Sequence, residues 1–458
     1  MTTRRSFLKM LGAVSLGFSG LQSFAQHQES STIMAKGFGA LEDQGILKLP
    51  KGFQYKIIAQ KGSTMSDGLL LPGRGDGMGT FEGTNGRVIL IRNHENSPTY
   101  LVDSPFGYSN QHLSKINPQK LFDTGYGKYP HLGGTTTSIY NEQTQTVEQV
   151  FLSLAGTARN CAGGTTPWGS WLTCEEYVKS KDATHAKDHG YVFEVPATEK
   201  PYIKYPVPLR AMGRFNHEAV AVDPRTGIVY LTEDRSDGLF YRFIPKVKGA
   251  LHEGGQLQAL AFVWKSGMDT RNWTNRNLQE GTGYAVKWIN MTNVEAPKDD
   301  LRYRGLEKGA ALFARGEGIW FGKDELYFAC TNGGQLKTGQ IFKYVPSRYE
   351  GTKRETESKH HGRLYLYSEP NDTSVLRYCD NLTVAPWGDV VFCEDGIHPR
   401  IFGITPNGQF YQIAENIGYQ SEFAGVCFSP SGKTLFVNIQ VPGLTLAITG
   451  NWNSLQGI

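Results

Sequence analysis

The chain has no long apolar run that could serve as a membrane span: beyond residue 25 no segment is long and apolar enough to cross a bilayer. A charge excess of one sign is also missing. Lys and Arg number 47 against 43 Asp and Glu, a formal surplus of +4, and three of those cations (Arg4, Arg5 and Lys9) stand near the start with no acid among them. Without that stretch the surplus is +1, which gives no argument for a nucleic-acid partner. Cysteine is sparse. Six of them (161, 174, 330, 379, 393 and 427) are few for a disulfide scaffold, and Cys174, Cys330, Cys393 and Cys427 sit in apolar strand-like runs where a buried free thiol is the usual outcome. No nucleophile-elbow motif occurs, so chemistry based on such a serine has no support.

What the N-terminus does contain is an address. "TTRRSFLKM" from Thr2 carries the paired Arg4 and Arg5, a mildly apolar stretch runs from Leu11 to Phe24, and "SFA" ends at Ala25. Residues 1–25 read as a twin-arginine signal peptide, since the apolar stretch is short and interrupted by glycine and serine. Its partner is the twin-arginine translocase, which carries folded proteins, and the destination is periplasmic or secreted.

Residues 26–458 read as a single domain. Glycine is abundant, aromatics are plentiful, and one pattern recurs: a short strand, a turn with Pro, Gly, Asn or Asp, then a more apolar strand ending in polar residues. It appears near 79–96, 161–176, 217–234, 317–332, 381–396 and 423–440. Repeated hairpins with further strands between them describe an all-β, six-bladed β-propeller, with a β-sandwich as the alternative. "FQYKIIA" at 53–59 is placed to supply the last outer strand, and 246–309 and 347–361 read as loops inserted over one face.

In an antiparallel hairpin the start of one strand lies beside the end of the other. First-strand starts offer Cys161, Glu218, Glu317 and Asn381; second-strand ends offer Asn93, His94 and Glu95, Glu175 and Glu176, Glu233 and Asp234, Asn332, Glu394 and Asp395, Asn438 and Gln440. All should meet at one mouth of the central channel. So many carboxylates repel one another unless cations neutralise them. Carboxylates and amides suit calcium, whereas one thiolate suits a transition metal. Arg315, two residues before Glu317, is placed to grip a phosphate or carboxylate, and Arg214 stands similarly before His217 and Glu218.

At these residues the chain resembles the PhoX family of exported alkaline phosphatases. "DGMGTFEGTNGRVILIRNHEN", "NCAGGTTPWGSWLTCEE", "GRFNHEAVAVDPRTGIVYLTED", "ARGEGIWF" and "VVFCEDG" resemble its signature blocks. The resemblance implies a six-bladed propeller that binds iron and calcium and hydrolyses phosphate monoesters, its substrate a small phosphate ester. It implies Cys161, Glu175, Glu176, Glu218, Glu317 and Glu394 as metal ligands, with Arg315 and Glu317 catalytic and Arg315 gripping phosphate. Asn93, His94, Glu95, His217 and Arg214 would stand behind them. Two other readings stay open at this point: a calcium-dependent lactonase-like hydrolase, and a non-enzymatic binding propeller.

Overall fold

The recurring strand–turn–strand pattern folds as hairpins. The computed structural model describes residues 34–357 and 360–455; the signal expected at 1–25 lies outside the described residues. The hairpins pair Gly75–Glu82 with Arg87–His94, Asn160–Thr165 with Ser170–Glu175, and His217–Val222 with Val229–Glu233. They continue with Gly316–Phe321 and Leu326–Cys330, Cys379–Val384 and Val390–Glu394, then Phe423–Phe428 and Thr434–Ile439. We number them first to sixth. Their second strands are apolar because they are covered on both faces: Val229–Glu233, Leu326–Cys330 and Val390–Glu394 are buried at every residue.

Each first strand packs against the first strand of the next hairpin, and the sixth packs against the first, so they form a closed cycle. Such close approach requires small residues. A Cβ on Gly77 would lie 2.5 Å from Ala162 Cα, and one on Gly425, where φ is +69°, would lie 2.2 Å from the Asp76 carbonyl.

The architecture is all-β and propeller-like, but its strands fall into five sheets of unequal size. The second hairpin adds only Val192–Pro196, making three strands. The third and fourth hairpins belong to one nine-stranded sheet, because Gly283–Asn290 hydrogen-bonds to Gly255–Phe262 on one side and Arg363–Ser368 on the other. Residues 246–309 are therefore no loose insertion; they supply two sheet strands and the helix Leu301–Glu307. In 347–361 the described part includes the short helix Lys353–Glu357, and Glu350 and Glu355 fold back to pair with buried Arg242 at 2.5 and 2.8 Å. The sixth hairpin is extended by Leu444–Thr449, on which Gln54–Gln60 from the other end of the chain pairs as the outer strand, as its sequence suggested. No helix among the described residues is long and apolar enough to cross a membrane, and the six cysteines are free thiols.

Candidate metal centre

One backbone hydrogen bond closes every hairpin at the same place. The N–H after the second strand donates to the carbonyl before the first: Glu95 to Arg74, Glu176 to Arg159, Asp234 to Asn216, Thr331 to Arg315, Asp395 to Tyr378, and Gln440 to Glu422. Four of the acceptors (Arg74, Arg159, Arg315 and Tyr378) hold φ between +47° and +54°, a left-handed conformation that non-glycine residues rarely adopt.

Just inside this closure every first strand carries a β-bulge. A bulge leaves one residue outside the ladder and re-aims its side chain. The residues so placed in the first five hairpins are Asp76, Cys161, Glu218, Glu317 and Asp380; in the sixth the bulge comes one residue later, at Gly425. Together with Arg74, Glu95, Arg159, Glu176, Asp234, Arg315, Asp395, Glu422 and Gln440, the five side chains line a cavity of about 330 Å³.

Cys161, Glu176, Glu218, Glu317, Glu95 and Arg315 thus meet as the sequence suggested. Glu175 and Glu394 do not. Each is the last paired residue of its strand, and side chains alternate across a strand, so each points away from the cavity while its successor lines it. Glu175 accepts from the amides of Ala158, Gly190 and Tyr191 and bonds His189. Glu394 is paired to Arg400 at 2.5 Å and takes the amides of Arg377 and Arg400.

Of the residues expected behind the ligands, Asn93 fits. Its Nδ2 donates to the carbonyls of Cys161 and Ala162, while its Oδ1 accepts from Trp171, so it holds the cysteine's bulge. His94 is turned the other way, between the Gly73 carbonyl and Thr136, and burial, then Arg92, keeps its pKa well below the usual histidine value. His217 bonds the Gly213 carbonyl, with burial lowering its pKa to about 3. Arg214 donates to the carbonyls of His189 and Ala296, away from the cavity. Asn381 is the second residue of its bulge and donates to Asp380. Asp76, Asp380, Glu422, Arg74 and Arg159 are site residues that the sequence reading missed; stepping two residues on from each closing residue finds both aspartates.

Arginine forks are woven among the acids. Arg315 donates Nε and Nη2 to the two oxygens of Asp234 at 2.7 and 2.8 Å, and Nη2 also lies 3.0 Å from Glu317. Arg159 bridges Glu95 and Glu176 at 2.5 and 2.6 Å. These pairs leave much of the negative charge unmatched. Both carboxyl oxygens of Glu218 are buried without a hydrogen-bond partner. Burial, followed by the neighbouring Glu317, raises its pKa well above the ordinary value. Burial raises Asp76, Glu317 and Asp380 likewise, with Glu95, Asp234 and Asp76 the next causes in turn. Glu176 is pushed to about 8 by burial and Asp234, and Glu422 to about 9 by burial and Asp395.

A carboxylate with no donor at either oxygen is costly unless a proton or a cation meets it. The donor geometry suits cations. Glu218, Glu317 and Asp380 bring oxygens within 4.8 Å of one another, an all-oxygen set appropriate to a hard ion; Glu95, Cys161 and Glu176 do the same with a sulfur included, appropriate to a softer one.

The family model for alkaline phosphatase PhoX matches residues 36–443. The chain belongs to that family. PhoX membership makes it an enzyme, a phosphatase acting on phosphate esters. A structure of Pseudomonas fluorescens PhoX in complex with vanadate, a transition state analogue, shares its fold at a TM-score of 0.66 and 17% identity, covering 93% of this chain and 99% of that one. A Xanthomonas campestris gluconolactonase, XC5397, aligns at a TM-score of 0.41 and 12% identity, over 87% and 95% of the two chains. No curated protein matches.

Proposed function

We propose that the chain is an exported, iron- and calcium-dependent phosphomonoesterase working in the mouth of a six-bladed propeller. The closed cycle of six first strands supports that blade count, with the nine-stranded sheet read as two blades joined through Gly283–Asn290. Residues 1–25 would direct export by the twin-arginine pathway, and the rest would act as one catalytic domain. The orphaned carboxylate of Glu218 among eight further acids is the observation that carries the metal reading.

Cys161, Glu95 and Glu176 suit iron, and Glu218, Glu317 and Asp380 suit calcium, with Asp76 beside both sets. Bound there, such cations would offset charge on phosphate oxygens and lower the pKa of water. The protein's own part is positioning. Asp234 and Glu317 orient the Arg315 fork and leave its Nη1 without a protein partner among the described residues, ready for a phosphate oxygen. Arg74 and Arg159 hold the equivalent place in their hairpins and present two more cations to the same cavity. The vanadate bound by the Pseudomonas relative supports phosphoryl transfer as the chemistry. Hydrolysis of p-nitrophenyl phosphate with and without chelator tests the proposal, and activity indifferent to chelator overturns it.

A further inference from the structure

A second cluster of ligand-type side chains lies behind the second hairpin, separated from the cavity by Glu175. Asp123 and His131 come from the long connection between the second and third strands of the first sheet; His185 and His189 come from the connection following Glu175. Asp123, His131 and His189 are at most 1% exposed. One donor atom from each lies within 4.8 Å of the others.

The hydrogen bonds fix how the rings face. His189 Nδ1 lies 2.7 Å from Glu175 Oε1 and donates to it. Its Nε2 lies 3.2 Å from Asp123 Oδ2, a gap that either a proton on Nε2 or a metal ion between the two can fill. Asp123 takes the amides of Gly125 and Ala186 on Oδ1 and that of Lys187 on Oδ2, which leaves Oδ2 a lone pair toward the rings. A proton on Nε2 would answer for His189 alone. His131 is left over: its buried Nδ1 has no partner, and its Nε2 stands 3.8 Å from the same Asp123 oxygen. Its ring lies parallel to that of His189, with centroids 4.4 Å apart, and His185 lies 4.8 Å from it. His185 Nδ1 is in turn bonded to Asp182 at 2.8 Å.

A carboxylate on the far nitrogen is the usual support of a metal-bound histidine, and His189 has one in Glu175. We propose that Asp123, His131 and His189 form a structural site for a borderline divalent ion such as zinc, with His185 beside it. Tetrahedral zinc, with bonds of about 2.0–2.1 Å, sets its ligand atoms roughly 3.3–3.4 Å apart. The 3.2 Å separation matches that spacing, and the 3.8 Å separation has to close by a few tenths of an ångström. The ion would tie together two long connections from neighbouring sheets and brace the strand end that carries Glu176.

Zinc chloride is the probe. The exported full-length protein, equilibrated with zinc and desalted, should hold one more zinc per chain than the His131→Asn variant, at equal iron and calcium content. Zinc should raise the melting temperature of the parent and leave that of the variant unmoved. Equal zinc in two folded proteins overturns the site and leaves His189 as a protonated ion-pair partner. If His131→Asn does not fold, anomalous diffraction at the zinc edge from zinc-soaked parent crystals decides: a peak among the three side chains supports the site, and its absence overturns it.

Discussion

Glu175 and Glu176 are neighbours in sequence that face opposite ways: Glu176 lines the cavity within 4.8 Å of a Cys161 donor, while Glu175 turns back to the amides of Ala158, Gly190 and Tyr191. Substitution at the two positions should separate cleanly. Glu176→Gln should lower metal content and activity, with little loss of stability in the metal-free protein. Glu175→Gln should lower the melting temperature by breaking a buried hydrogen-bonded set, with about 1–3 kcal/mol at stake. Elemental analysis beside calorimetry reads both, and equal metal loss from the two would contradict the opposed orientations.

Arg315→Ala should reduce kcat/KM for p-nitrophenyl phosphate by roughly 10- to 100-fold, the span of about 1.5–3 kcal/mol for a charge-assisted contact, while metal content holds. Arg315→Lys should recover only part, because an ammonium cannot reproduce the fork that spans both Asp234 oxygens. Unchanged kinetics in the alanine variant would remove Arg315 from the site.

Stripped of cations, the protein should lose stability as pH rises. Glu176 and Glu422 have folded pKa values of about 8 and 9, raised from 4.5 mainly by burial. The folded state therefore keeps protons that the unfolded chain releases above about pH 4.5, so stability is full below that pH and is lost progressively toward 8–9. Bound cations keep these carboxylates charged, and the slope should disappear in the loaded protein. Denaturant midpoints from pH 5 to 9, with and without chelator, measure it; parallel curves would refute it.

Glu218→Gln tests the same physics at one residue. At pH 8 the metal-free variant should melt higher than the metal-free parent, because an uncompensated buried acid has been replaced by a neutral isostere. The metal-loaded variant should be inactive and melt lower than the loaded parent. A variant less stable than the parent in both states would mean that Glu218 has a role in folding unrelated to cations.

Metal content of the purified protein distinguishes the proposed chemistry from the alternatives. Iron together with calcium is expected. Calcium alone would leave the Cys161 sulfur, among Glu95 and Glu176, without a partner suited to it.

The hairpins were legible because their signal is local: apolar second strands bounded by turn residues. Cys161, Glu218 and Glu317 were legible because they open those hairpins. Asp76 and Asp380 were not, since the first hairpin was read as opening near residue 79 and the fifth at Asn381, each past the residue that the bulge exposes. In the fifth hairpin that reading stopped on Asn381, one position too far. Glu175 and Glu394 failed for a related reason: whether a strand's last residue or its successor faces inward depends on register, and Glu-Glu and Glu-Asp look alike either way. Asp123, His131 and His189 stand in connections with no periodicity, and only the folded chain brings them together.

The clasp between Gln54–Gln60 and Leu444–Thr449 sets an order of events. Two strands far apart in the sequence have to meet, so a nascent chain that still lacks Leu444–Thr449 is left with an open ring and a half-built ion trap. Closure of the ring therefore waits for Leu444–Thr449. A circular permutant that joins Leu444–Thr449 to Gln54–Gln60 through a short turn would make that pairing local and should refold faster.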